Sequence, residues 1–93
     1  MFVNMAFVNP YQGKERELAE NMLSFAKALR DQPGLIRTFV LSESDGKTLV
    51  GVSMWSDEAA FQHGMANAKP TPPKYPTETL RKDPPIVRQF KEV

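Results

Sequence analysis

Few side chains in this sequence could do chemistry, and three of them stand apart. Trp55 is the only tryptophan and His63 the only histidine, both within LVGVSMWSDEAAFQHGM, Leu49 to Met65. Asn4 is the polar residue in the otherwise apolar opening MFVNMAFV. An indole offers an apolar plate and one N–H donor. An imidazole offers a general base or a metal ligand near neutral pH. A buried carboxamide must find a hydrogen-bond partner, which can be a ligand or a neighbouring chain. Each also has a plain structural reading: Trp55 as core, His63 as a surface residue at the edge of a helix stripe, and Asn4 as a bond across a subunit seam. Ser53 shares the Trp55 side of its strand but has no adjacent base in sequence, so nucleophilic catalysis is not expected. With no cysteine and one histidine, disulfides, thiolate ligation and a protein-only zinc site are not expected.

The elements that must position these residues follow from apolar periodicity. Met1–Val8 reads as a strand apolar on both faces, with Met1, Val3, Met5 and Phe7 on one and Phe2, Asn4, Ala6 and Val8 on the other. Asn9, Pro10 and Gly13 end it. From Lys14 to Gln32, Leu18, Met22, Phe25 and Leu29 recur at helical spacing beside Ala19 and Ala26, and Pro33-Gly34 stops the helix. LIRTFVLSES and KTLVGVSMW form two strands joined at Asp45-Gly46, a hairpin signal. Leu35, Phe39 and Leu41 are expected on one face of the first of these strands. Ser56 or Asp57 caps a second helix whose apolar side is Ala60, Phe61, Met65 and Ala68. Residues 69–85 hold six of the eight prolines and are expected to be a loop without regular structure, with Lys74 and Tyr75 placed to reach over a pocket. IVRQFKEV closes the chain as a strand. Gly51 in mid-strand and Gly64 in mid-helix mark either close packing or room for a ligand.

Ninety-three residues suit one domain, 1–93, with a thin core. The formal net charge of +1 argues against nucleic acid as a partner, although residues 69–93 are net basic. The opening apolar run is too short to span a membrane and lacks the basic start of a signal, so the expected setting is cytoplasmic. The order β-α-β-β-α-loop-β makes an α+β fold: a ferredoxin-like sandwich with a four-stranded antiparallel sheet and two helices on one face. Strands apolar on both faces need cover on both faces. Two subunits pressing their free sheet faces together supply it, so a homodimer is expected.

The stretch PGLIRTFVLSESDGKTLVGVSMWSDEAAF resembles the middle of antibiotic biosynthesis monooxygenase (ABM-type) domains of the dimeric α+β barrel superfamily. Gly34 opening a strand, the hairpin, Trp55 ending the next strand, the polar cap and Ala60-Phe61 carry the likeness, over roughly residues 1–66. The resemblance implies a pocket between helices and sheet. Some members there oxidise aromatic polyketides with oxygen and no metal or flavin. On that pattern Trp55, Asn4 and His63 are the catalytic candidates, and Met22, Phe25, Phe61, Met65 and Tyr75 shape the substrate wall. A heme-degrading branch has an axial histidine ten residues after its tryptophan; Met65 stands there in this chain, and His63 lies two residues earlier.

The leading expectation is a cofactor-independent monooxygenase for a small apolar or aromatic compound. A non-catalytic dimeric binding or stress-response module is the alternative, and a heme-binding oxygenase the third. A cavity bordered by Trp55 and Asn4 would favour an enzyme; a pocket packed solid would favour the module.

Overall fold

Alternation of side chains across four strands sets the whole architecture. In the computed structural model, which describes all 93 residues, the elements run β1 (Phe2–Val8), α1 (Glu15–Leu29), β2 (Leu35–Ser42), β3 (Leu49–Trp55), α2 (Glu58–Asn67) and β4 (Ile86–Lys91). The strands form one antiparallel sheet in the order β2-β3-β1-β4, the ferredoxin-like arrangement expected from the chain order. No helix is long and apolar enough to cross a membrane.

Local chemistry ends each element. Asp57 is the N-cap of α2, its carboxylate accepting from the Ala60 N–H at 2.8 Å. The β2–β3 turn is closed by Glu43 N–H to Thr48 C=O at 2.9 Å, with Asp45 accepting from Lys47 N–H and Gly46 at φ +74°. Gly34, at φ +85°, lets β2 begin directly under α2; a Cβ there would lie 2.6 Å from the Ala60 Cβ. Helix α1 stops at Leu29, one turn short of Gln32.

Strand register assigns each side chain to a face. Phe2 pairs with Trp55, Asn4 with Ser53, Ala6 with Gly51 and Val8 with Leu49, so these eight share one face. Leu18, Ala26 and Leu29 of α1 are buried, and the clusters they join show this to be the helix-covered side. The expected grouping of Leu35 with Phe39 and Leu41 is corrected. A register shift between Leu35 and Arg37 turns Leu35 to the helix side, where it packs beside Phe2, Leu29 and Trp55. A bulge reverses the alternation that period alone would carry through.

The opposite face carries Met5, Phe7, Phe39, Leu41, Val50 and Phe90 and has no helix over it. Leu41, Ile86 and Phe90 are 50%, 62% and 41% exposed. Residues 69–85 contain more structure than their prolines suggest. Thr77–Thr79 form a 3₁₀ turn, and Arg81 pairs with Pro10 in an isolated antiparallel bridge. Leu80 is buried in the core, so this loop is pinned down at its centre.

Candidate active site

The covered sheet face is not uniformly bulky. Read along β1 it presents Phe2, Asn4, Ala6 and Val8; read along β3 it presents Trp55, Ser53, Gly51 and Leu49. Both strands therefore run large, small, small, large in register. The large ends build two separate core clusters. Phe2, Leu29 and Trp55 form one, supported by Leu35, Ala60, Phe61 and Ala68. Val8, Leu18, Leu49 and Leu80 form the other, supported by Ala19, Met22 and Tyr75. The four small residues between them leave a trough, about 13 Å from Val8 to Asn4 at strand rise.

Helix α1 spans this trough from Leu18 in one cluster to Leu29 in the other. Asn21, Met22, Phe25 and Ala26 lie between and make the roof. The result is a cavity of about 410 Å³, within the range that takes a small ligand. Of its 19 lining residues 11 are hydrophobic, so it favours an apolar or aromatic occupant. Gly51 keeps the floor low: a Cβ there would meet only the Met22 Cε, at 3.4 Å.

The cavity brings together part of the set expected from the sequence. Asn4, Met22, Phe25 and Met65 line it. Trp55, Phe61, His63 and Tyr75 do not. Trp55 is fully buried in its cluster, edge-on to Phe61 at 6.0 Å between ring centroids, with the indole Nε1 lacking a partner. Its ring lies directly under Gly64, which is why mid-helix position 64 carries no side chain. Phe61 packs on Phe2 at 5.1 Å. Tyr75 leans on the Leu18 cluster from the loop. The borderland expected between Trp55 and Asn4 is thus bordered by Asn4 alone. Of the large residues at the strand ends Val8 alone lines the cavity, while Phe2, Leu49 and Trp55 close it from outside.

His63 is exposed on α2, away from the lining. The residues do not fit axial heme ligation by His63 in this cavity. No group of three or more metal-ligating acidic or histidine side chains is assembled anywhere.

Residues that sequence reasoning missed complete the polar inventory. Asn21 is buried on α1 and ties down the loop, Nδ2 donating to the Tyr75 carbonyl at 2.9 Å and to Thr77 Oγ1 at 3.3 Å. Thr38 and Ser53 sit on the floor beside Asn4, with Thr38 Oγ1 donating to the Val52 carbonyl at 3.0 Å. Asn4 Oδ1 accepts from Gln89 Nε2 at 3.2 Å, which leaves its own N–H₂ available. Arg81 is the charged residue in the lining. Asn21 was legible as a polar interruption of the α1 stripe between Leu18 and Met22. Nothing along the chain could have placed Arg81.

Comparison with known proteins bears on both family and fold. The family model for antibiotic biosynthesis monooxygenases matches residues 1–68. No functionally curated protein matches the sequence. Among solved structures, SnoaB, a cofactor-independent oxygenase from Streptomyces nogalater, is similar at a TM-score of 0.73 and 18% identity, over 99% of this chain and 92% of that one. A protein from Shewanella oneidensis is similar at 0.76 and 20%, over 96% and 87%. One from Mycobacterium tuberculosis is similar at 0.74 and 14%, over 99% and 94%. At these identities the likeness is one of fold.

Proposed function

The chain belongs to the antibiotic biosynthesis monooxygenase family, and from that premise we propose that it oxidises a small hydroxylated aromatic compound with dioxygen, using no metal or flavin, in the cavity between α1 and the sheet. The observation that supports this most is the trough itself: a ligand-sized apolar cavity, with hydrogen-bonding groups grouped at defined points on its wall.

The lining carries no carboxylate and no imidazole. General-base catalysis by a side chain of the wall is therefore not the mechanism, and His63 leaves the set of proposed catalytic groups. The substrate must supply the acidity itself. A phenol or anthrone held against amide and hydroxyl donors loses its proton to water more readily, because those donors stabilise the anion. The anion passes one electron to dioxygen. The resulting radical and superoxide combine at carbon to a peroxide, which takes up a proton and loses water to leave a carbonyl. One dioxygen and two substrate hydrogens are consumed for each carbonyl and each water formed. Asn4, Thr38 and Ser53 orient the ring, Met22, Phe25 and Met65 supply apolar contact to its face, and Trp55 holds the far wall together from behind.

We further propose that a second copy of the chain covers the open sheet face, because Leu41, Ile86 and Phe90 are exposed apolar side chains there. Oxygen uptake against a panel of hydroxylated aromatics tests the catalytic reading. Uptake that depends on the compound and stops when the cavity is filled is expected. No uptake with any compound, alongside measurable binding, would leave a non-catalytic binding module as the reading.

A further inference from the structure

Between α2 and the 3₁₀ turn, the stretch KPTPPK, residues 69–74, neither joins a core cluster nor lines the cavity. Its backbone is fixed all the same. Proline holds φ at about −65° at positions 70, 72 and 73. A residue before proline is driven to an extended ψ, which covers Lys69, Thr71 and Pro72. Ala68 enters at φ −63° and ψ 140°, already polyproline II. The sequence thus dictates a polyproline II rod over 68–73, and the chain bends only at Lys74 and Tyr75. Both ends are clamped. Ala68 packs on the Trp55 cluster and donates its N–H to Gly64 C=O at 2.9 Å. Tyr75 packs on the Leu18 cluster, and its carbonyl accepts from Asn21 Nδ2 at 2.9 Å. Every residue between them is exposed, and none makes a backbone hydrogen bond.

Polyproline II repeats every three residues, so positions 70 and 73 share one ridge of the rod, and both are proline. Thr71 lies on a second ridge, and Lys69 with Pro72 on a third. Lys69 and Lys74 flank the prolines, and neither enters an ion pair. No Asp or Glu occurs from Ala59 through Thr77, so the rod is positive along its whole length. We propose that residues 69–74 are a docking ligand for a protein domain with a polyproline-reading groove. Such a groove offers stacked aromatic side chains to Pro70 and Pro73 and a carboxylate at its rim to lysine. A rod already held straight at both ends loses little entropy on docking, and its unpaired carbonyls remain to accept from the partner. The tyrosine of PPKY is packed against the Leu18 cluster, so the P-x-x-P spacing, and not P-P-x-Y, is the one presented. Stiffening the loop is the other use of these prolines, and the two uses separate by experiment. Recognition needs the ridge of Pro70 and Pro73, whereas stiffening draws on every proline alike. This docking role is independent of the oxidation proposed above.

The test titrates the full chain into a panel of isotopically labelled SH3 domains with acid-rimmed grooves, and into WW domains, following the domains' amide signals. Binding by at least one SH3 domain is expected, with shifts confined to its aromatic groove and an affinity that falls as salt is raised. Pro70→Ala and Pro73→Ala are each expected to weaken that binding tenfold or more. Thr71→Ala, on another ridge, should change it by less than about twofold. Lys69→Gln combined with Lys74→Gln should weaken it and remove most of the salt dependence. Thermal melts of the alanine variants are expected within a few degrees of wild type, since residues 69–74 pack on neither cluster. Three results overturn the proposal. One is a wild-type chain that no domain of the panel binds. Another is binding that Pro70→Ala and Pro73→Ala both retain. The third is binding by WW domains alone that is lost in Tyr75→Phe.

Discussion

Gly51 decides whether the trough is a site or a packing defect, and Gly51→Val puts the question to the molecule. Position 51 faces the cavity from the middle of β3, and a new Cβ would touch only the mobile end of Met22 at 3.4 Å. Valine adds three carbons into space that is otherwise open, worth roughly 2 kcal/mol at about 0.8 kcal/mol per buried carbon. Removing a strand glycine adds about 0.5–1 kcal/mol by lowering the entropy of the unfolded chain. Repacking Met22 takes some of this back. The net expectation is stabilisation by roughly 1–3 kcal/mol, or an unfolding temperature raised on the order of 10 °C for a chain of this size. In a filled core the same change would cost about 1–3 kcal/mol through overpacking. The sign therefore discriminates. Thermal and urea unfolding measure the stability, and oxygen uptake or binding of a hydroxylated aromatic compound measures the site. The expected pair of results is a more stable protein with ligand binding lost by tenfold or more. A variant that melts below the wild type, or one that is stabilised yet binds and turns over normally, would refute the reasoning.

Other outcomes follow from the same packing. Gly64→Ala should destabilise by roughly 1–3 kcal/mol despite alanine's better helix propensity, because its Cβ would strike Cη2 and Cζ3 of Trp55; a thermal melt at or above the wild-type value would contradict this. Asn21→Ala removes both side-chain bonds to the loop and should cost about 1–3 kcal/mol, with faster proteolytic cleavage within residues 69–85. Limited proteolysis followed by mass spectrometry reads the cleavage sites. Leu41→Glu places a charge on the open sheet face at a position already 50% exposed. It should leave the fold of one subunit intact and weaken the proposed self-association by tenfold or more, measured by sedimentation velocity over a range of concentrations.

On the proposed reaction, a cavity with no base on its wall makes the chemistry depend on the substrate more than on any one side chain. Single substitutions at Asn4 or Ser53 should then act mainly through orientation and ligand affinity. This division of labour also fits the shape of the cavity: small residues at its middle keep it open, and the large residues of the two clusters at its ends hold it in place.

Much of the architecture was determined along the chain. Alternation gave four strands, the i, i+4, i+7 pattern gave α1, and Asp57 and Asp45-Gly46 marked a helix start and a turn, because each depends on neighbours a few residues apart. The two-sided apolarity of β1 was likewise legible, and it is the ground for proposing a second copy over the open face. The chain also contained the alternating Phe-Asn-Ala-Val and Leu-Gly-Ser-Trp rows, but not their meaning. Only the antiparallel register of β1 on β3 sets small beside small and large beside large, and so converts two ordinary rows into a trough with closed ends. Tertiary structure likewise moved Trp55 from wall to support and turned Leu35 over through a bulge. It carried Arg81 to the mouth of β1, more than seventy residues away in sequence. Those outcomes depend on pairings between distant segments, which no local pattern of side chains encodes.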